Sequence, residues 1–581
     1  MTATLVRPRQ VLCVVDETRR DLAVARDAVA GRFTHNGVTL DLGRRPDWLG
    51  GGLPGDVEWR IEWVKLYEGL DLAHAGSTTG DPAHLAAWED LVESFCDQVP
   101  VGHDSSDVSA RRMQNWLYAW QRFGHPPLRP GLAERLVARL RADADHLAAH
   151  LTPERNHRTL ELYALLLVGL ALDPGPERAA AALDLLAANA EADVWDDGVH
   201  RECSTDYHLI VLRSFVGAIA NARAAGLDVP APLLDRTALA CDFALHVQRP
   251  DGTTPALSDG DQGDFRPLLA LAGDVLDRPD LTWAATGGRA GTPPAGRHVT
   301  FPVGGYCVQR SGWGDGPLAY ADERFCVVDC GPLGDGGHGH YDHLSVEMAA
   351  GGRSLVVDPG RHTYVDGPWR RWFKGTAGHS TVTVDGLDQT PYRCGKPKGP
   401  VSSARLVGRW TGPGLDVVVG RATSPAYDAV HTRAVALVGD DWWVVHDRLT
   451  APTPHRYQAR WHLAPEAHGR TSVEDDGRQV VVRAPGVVLA VPRWCGEVTV
   501  EDGWVAPEYG VKVPAPVVVV TADGRDVDLV TAVVPGDGPV GLAAACREQW
   551  VIVRAGRPGA TDRVWWRTGV TVDAGWERRP C

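Results

Sequence analysis

From about residue 60 to residue 280 the apolar positions recur at helical spacing, separated by breaks rich in Pro, Gly and Asp. The pattern predicts helices near 60–75, 84–97, 109–122, 130–148, 153–171, 177–190, 205–224, 232–248 and 264–275. Beyond about 300 the period changes. HSTVTVDG, LDVVVG, DWWVVHDRL, YQARWHL, QVVVRA, PVVVVT, WVIVRAG and RVWWRT are short, β-branched or aromatic, and bounded by turn residues, so they read as strands of a large antiparallel region. The Gly- and Pro-rich stretch 287–297, GGRAGTPPAGR, marks the join. The expected fold class is a multidomain α and β chain, with a segment 1–55, a helical domain 56–290 and a β-domain 291–581.

Helical hairpins with short loops run antiparallel, so alternate helices start at one end of an αα array. The helices beginning near 109, 153, 205 and 264 then share an end, together with the loop 251–264. Polar residues collect there. In LTPERNHRTLELYALLL, Thr152 reads as an N-cap and Pro153 as the first helical residue, placing Asn156 and His157 in the first turn. Ser204 can cap the next helix of the same sense, ahead of Tyr207 and His208, and ARRMQNWLYAW carries Arg111, Arg112, Gln114, Asn115 and Trp116. Helix N-termini bearing amides, arginines and a tyrosine suit carboxylates, because orphan N–H groups and the helix dipole favour anions. Taken singly, such residues are more often caps or packing groups.

The densest chemistry lies in GDGGHGHYDHLSVEMAAGGRSLVVDPGRHTY. His338 and His340, two apart at an expected strand entrance, point to one face, and His343 has the other parity. Asp358 ends the strand SLVVD and His379 begins HSTVTVDG, so two imidazoles and one carboxylate can meet at neighbouring strand ends. That donor set suits zinc or a similar divalent ion.

The 581 residues exceed one ordinary hydrophobic core, and 44% hydrophobic with 23% charged residues is a globular composition. A net charge of -15 argues against a nucleic-acid or anionic-membrane binder, although a local basic cleft is enough to hold an acidic sugar. The apolar run Val11 to Val15 is too short for a signal segment or membrane span, so the chain reads as cytoplasmic. Eleven cysteines, an odd number without a CxxC pair, read as reduced thiols; Cys326 and Cys330 lie in a strand rather than a zinc site.

Over nearly its whole length the chain resembles the heparinase II/III family of polysaccharide lyases, related to alginate lyases. The likeness is carried by FTHNGVTLDLG, PDWL, WRIEWVKLYEGLDLAHA, ARRMQNWLYAW, ERNHRTLELYALLL, DGVHRECSTDYH, SDGDQG, HGHYDHLSVEMAAGGRSLVVDPG and GHSTVTVDG. The resemblance implies an (α/α) toroid followed by a β-sandwich, and β-elimination on a uronic-acid-containing glycan. It implies that Asn156, with His157, neutralises the uronate carboxylate, that Tyr207 and His338 are the catalytic pair, and that His340, Asp358 and His379 hold the metal. That metal is expected to be zinc, with calcium or manganese as alternatives. Arg111, Asn115, Trp116, Arg158, Glu202, Asp259 and Tyr364 complete the expected substrate-binding set. The expected partner is an acidic glycan, with no nucleic acid and no membrane; a homo-oligomer stays open.

Abstraction of a proton alpha to a carboxylate builds a second negative charge beside the first, so neutralising the carboxylate is the largest requirement. A base then takes the C5 proton and an acid protonates the oxygen leaving C4. Tyr207 is the candidate acid, and either Tyr207 or His338 the base. Two alternatives compete. A glycoside hydrolase would use paired carboxylates from Glu202, Asp259 and Asp261, and a non-catalytic carbohydrate binder would use some of the 21 tryptophans for stacking.

Overall fold

The computed structural model describes residues 8–14, 19–50, 53–55, 57–335, 337–538, 540–547, 550–557, 559–567 and 572–580. Val15, Gly336 and Thr568 of the runs and motifs named above lie outside these residues. The chain divides into two compact units, one of residues 1–194 with 210–238, the other of residues 195–209 with 239–581.

The first unit is a two-layer helical array. The helices Glu68–Thr79, Ser106–Arg122 and Arg155–Leu172 pack on one another, and Pro82–Gln98, Leu132–Ala149 and Glu177–Asp193 pack outside them. Burial follows the layering: every residue from Val108 to Trp120 is buried in Ser106–Arg122, whereas Leu132–Ala149 buries one stripe. This is the α/α toroid arrangement that the sequence implies. The helix expected over 60–75 is two helices, Val57–Val64 and Glu68–Thr79, because Leu66 between them adopts a left-handed conformation at φ 57°. No helix among the described residues is long and apolar enough to cross a membrane.

In the second unit a ten-stranded antiparallel sheet is sandwiched between a five-stranded and a four-stranded sheet. Its apolar runs are continuous because both faces are buried. Val417, Val419, Ala434, Ala436 and Trp442 pack with Val551, Val553 and Trp566 of the four-stranded sheet. The intervening Val418, Val435, Leu437 and Trp443 pack with Cys307, Val328 and Met348 of the five-stranded one. Period-two alternation therefore splits each run between two cores. DWWVVHDRL and YQARWHL, read as separate strands, form one strand Trp442–His462, which pairs with Val513–Pro535. The five-stranded sheet ends in Val346–Ala350 and Arg353–Val356, and the loops flanking these strands carry the histidines and Asp358.

Candidate active site

The site in the second unit is assembled around one carboxylate. Asp259 is fully buried, and its two oxygens meet three side chains: His338 Nδ1 at 3.2 Å from Oδ2, His340 Nε2 at 2.9 Å from Oδ1, and the Arg370 guanidinium, which donates to both. The backbone repeats the connection, Asp259 N–H donating to His338 O at 3.0 Å. Burial opposes ionisation, but Arg370 and the two imidazoles hold Asp259 well below the usual carboxylate range. Asp259 was expected to touch substrate; with no exposed surface and both oxygens engaged, it contacts His338, His340 and Arg370 instead.

His338 keeps 23% of its side chain exposed, and its Nε2 lies 3.6 Å from Glu202 Oε2. Glu202, also an expected substrate contact, is 1% exposed, and the contact it makes here is with the imidazole. The Tyr207 ring stacks on His338 with centroids 3.9 Å apart. Tyr207 sits in the first turn of Thr205–Ala224, where Ser204 Oγ receives its N–H at a long 3.5 Å and donates to Asp259 O at 2.9 Å. The expected Ser204 cap is thus weak, and the hydroxyl ties the helix start to the Asp259 loop. Tyr207 Oη lies 3.1 Å from Tyr364 Oη, which receives a hydrogen bond from Arg361 at 2.8 Å. Burial, with Tyr364 beside it, raises the Tyr207 phenol well above its ordinary value, and the phenol stays protonated.

His340, Asp358 and His379 bring one ligand atom each within 4.8 Å of one another, and all three are buried. His340 and His338 sit in a loop rather than at a strand entrance, and Asp358 lies just past the end of Arg353–Val356. Three further features fit a cation. His340 gives Nε2 to Asp259 and leaves Nδ1 buried without a hydrogen-bond partner. Burial lowers His340 to about 4, so it is a neutral imidazole with a lone pair to offer. His379 Nε2 faces Phe373 O at 3.1 Å, which fixes Nδ1 toward Asp358 Oδ2 at 3.0 Å. Outer-shell acceptors of this kind set the tautomer of metal-binding histidines.

Arg370 and Lys374 escaped the sequence reading. Both lie on the seven-residue helix Pro368–Lys374, one turn apart, and both are buried. Lys374 Nζ donates to Gly337 O at 2.6 Å, Gly395 O at 3.1 Å and Cys394 O at 3.3 Å, and burial lowers it to about 8. The i, i+4 pair of cations in PWRRWFK was the available signal. Arg361, in DPGRHTY, binds Asp206 and Asp261 at 2.9 Å besides Tyr364.

The model of the heparinase II/III N-terminus matches residues 11–272, and that of the heparinase II/III-like C-terminal region matches residues 293–553. The chain belongs to the heparinase II/III family. The heparin-sulfate lyase of Pedobacter heparinus is 22% identical over 488 residues, 80% of this chain and 71% of that one. The heparin-sulfate lyase of Bacteroides stercoris is 23% identical over 411 residues, 68% of this chain and 59% of that one. A crystal structure of heparinase III superposes with a TM-score of 0.79 at 15% identity, covering 98% of this chain and 94% of that one, and so shares the fold.

The remaining expected residues of this heparinase II/III member lie in the helical unit. Thr152 caps nothing: its N–H and hydroxyl both bond the Glu161 carboxylate, and the helix starts at Arg155, whose φ of 76° turns the chain into it. Asn156 is buried in the first turn, whereas the His157 side chain is 51% exposed, 3.7 Å from Asp107. Arg158 donates to Thr152 O at 2.8 Å. Three expected substrate contacts are core groups instead. Arg111 donates to Gln114 at 2.8 Å, Asn115 donates to Lys65 O at 2.9 Å, and Trp116 packs edge-on against Phe95. Their helix starts at Ser106, earlier than expected, which carries them past its exposed first turn.

Proposed function

We propose that this protein is a polysaccharide lyase that cleaves a uronic-acid-containing glycan by β-elimination, leaving a 4,5-unsaturated uronate. The observation that carries the reading is the stacked Tyr207–His338 pair, with the imidazole anchored on Asp259 and the phenol at the end of a hydrogen-bond chain from Arg361. His338 is the base. With Nδ1–H donated to Asp259, Nε2 holds the lone pair, and Asp259 and Glu202 flank the imidazolium that forms when it takes the C5 proton. Tyr207 is the acid: burial keeps its proton in place until the oxygen leaving C4 accepts it. Arg361 can only donate, so Tyr364 Oη accepts from it and passes its own proton toward Tyr207, leaving the Tyr207 proton for the leaving group. The role of neutralising the uronate carboxylate falls to Asn156, aided by His157 and Arg158, on the family resemblance.

His340, Asp358 and His379 would hold a divalent ion, zinc first by its preference for imidazole and carboxylate in a closed site. When bound, the ion supplies a fixed positive charge that locks the loop of His340 against Asp358. The relatives at 22–23% identity are heparin-sulfate lyases, and that glycan heads the substrate panel. The segment 1–55, the helical domain 56–290 and the β-domain 291–581 belong to the same proposal.

The hydrolase reading loses support because Asp259 is saturated and Asp261 is paired with Arg361, so Glu202, Asp259 and Asp261 do not supply a free carboxylate pair. Incubating the pure protein with heparin-sulfate, alginate and other uronate oligosaccharides while following ultraviolet absorbance tests the proposal. New absorbance from a C4–C5 double bond is expected; new reducing ends without that absorbance refute it.

A further inference from the structure

Beside the His338 loop lies an open groove of about 950 Å³ that the mechanism does not use. Asp366 to Pro368 and Arg371 form one wall, and Tyr392 to Lys396 the other. Its walls are tied to the catalytic loop. Lys374 Nζ joins Gly337 O, one residue before His338, to Cys394 O and Gly395 O. Tyr341 Oη receives the Arg393 N–H at 2.9 Å, fastening the same two loops a second time. The backbones touch as well: a side-chain carbon at Gly337, where φ is 97°, would lie 2.5 Å from Lys396 N.

The charge of the groove runs against the charge of the chain. Arg371, Arg393 and Lys396 line it against the single acid Asp366, whose carboxylate is engaged by Tyr392 Oη at 3.0 Å, while the whole protein carries -15. Arg371 lies over the Tyr392 ring, 4.5 Å from its centroid, and neither Arg371 nor Arg393 has an ion-pair partner among the described residues. Lys396 reaches only a distant partner, Asp335 at 3.6 Å. Three cations outnumber the acids on this wall, and an anion bound among them would meet a locally positive surface. The side chains of the helix Pro368–Lys374 divide accordingly. Arg370 and Lys374 turn inward to Asp259 and the His338 loop, and Arg371, exposed, turns to the groove.

We propose that this groove is a second acidic-sugar subsite, taking the carboxylate or sulfate of a sugar neighbouring the one that is cleaved, with Arg371 and Arg393 as its anion contacts. The inference deepens the lyase reading and rests on it for the identity of the ligand. A guanidinium pair offers forked donors that match either anion, and the Tyr392 ring holds the Arg371 guanidinium in place by stacking under it. The subsite sets length and charge preference, and the reacting groups stay with Tyr207 and His338.

The test uses the whole chain and two defined probes, an unsulfated and a sulfated uronate oligosaccharide of equal length. Binding is measured by titration calorimetry, and cleavage by ultraviolet absorbance, for the native protein and for Arg371→Ala with Arg393→Ala. Losing two charge-assisted contacts on a solvent-open wall should raise Kd and KM about tenfold and leave kcat within about twofold, with a flatter salt dependence. Loss with both probes assigns the groove to carboxylate, and loss confined to the sulfated probe assigns it to sulfate. Unchanged Kd and KM, a loss carried by kcat, or no binding of either probe to the native protein would overturn the subsite. Weakened binding by the double variant, with no unsaturated product from the native protein, would keep the subsite and sink the lyase reading.

Discussion

Replacing Arg370 with Met tests whether the site is organised around a single buried charge. Arg370 is 1% exposed and Asp259 has no exposed surface, and two hydrogen bonds join them. Breaking a buried pair by removing one partner costs about 3–5 kcal/mol, because the surviving charge has neither its partner nor water. Here His338 and His340 still donate to Asp259, so the lower end of that range, about 3 kcal/mol, is expected for Arg370→Met. Adding Asp259→Asn removes the stranded charge, so the double variant should lose about 1–2 kcal/mol less than the sum of the single losses. Urea unfolding followed by tryptophan fluorescence measures all four corners of this cycle. Strictly additive losses, or an Arg370→Met variant as stable as the native protein, would show that Asp259 does not depend on Arg370 and would remove the organising role assigned to it.

Three other outcomes are expected. Tyr207→Phe and His338→Ala should each lower kcat by about 10²–10⁴-fold in the ultraviolet assay while far-ultraviolet circular dichroism stays native; full activity in both would refute the acid and base roles. Elemental analysis of protein purified without chelator should find one divalent ion per chain, absent from His340→Ala and Asp358→Ala; an equal content in all three would place the ion elsewhere. In the helical unit, burial raises Asp71 to about 6, with Asp21 N–H as its one backbone donor and Oδ2 unpartnered. The folded state therefore keeps a proton that the unfolded chain releases near pH 4, so stability is full below pH 4, falls between about 4 and 6, and stays lowered above. Asp71→Asn should gain about 2 kcal/mol over the native protein at pH 8 and nothing at pH 4 in urea unfolding, and equal gains at both would exclude titration of Asp71 as the cause.

How far the sequence reveals this site depends on the range over which each signal acts. Amphipathic and β-branched runs are local, and they located the helices and strands to within a few residues at most ends. Asp358 and His379 are legible because each lies next to a short apolar strand, Arg353–Val356 and Val382–Val384, whereas His340 lies in a loop six residues before Val346 and is reached through the family resemblance. The N-cap at Thr152 failed for a nonlocal reason: Glu161, in the interior of the same helix, captures the Thr152 hydroxyl and N–H. Asp259 was mistaken for a substrate contact, since a Gly-rich SDGDQG loop gives no hint that Arg370, more than a hundred positions later, closes over it. Lys374 is harder still to foresee. Its partners are three carbonyl oxygens, which carry no side-chain signature at all.

The pairing of Trp442–His462 with Val513–Pro535 also sets a schedule for the chain as it is made. One edge of the earlier strand is covered at once by its neighbour Val430–Val438, but the other waits for residues that follow much later, Trp443 for Val533 and His462 for Val517. At ribosomal speeds of about 5–20 residues per second, that edge stays open for on the order of ten seconds. During that interval a long, apolar ribbon is available to the same ribbon on a neighbouring nascent chain. Yield of native protein should therefore respond to translation rate and growth temperature more than to anything done to the finished molecule.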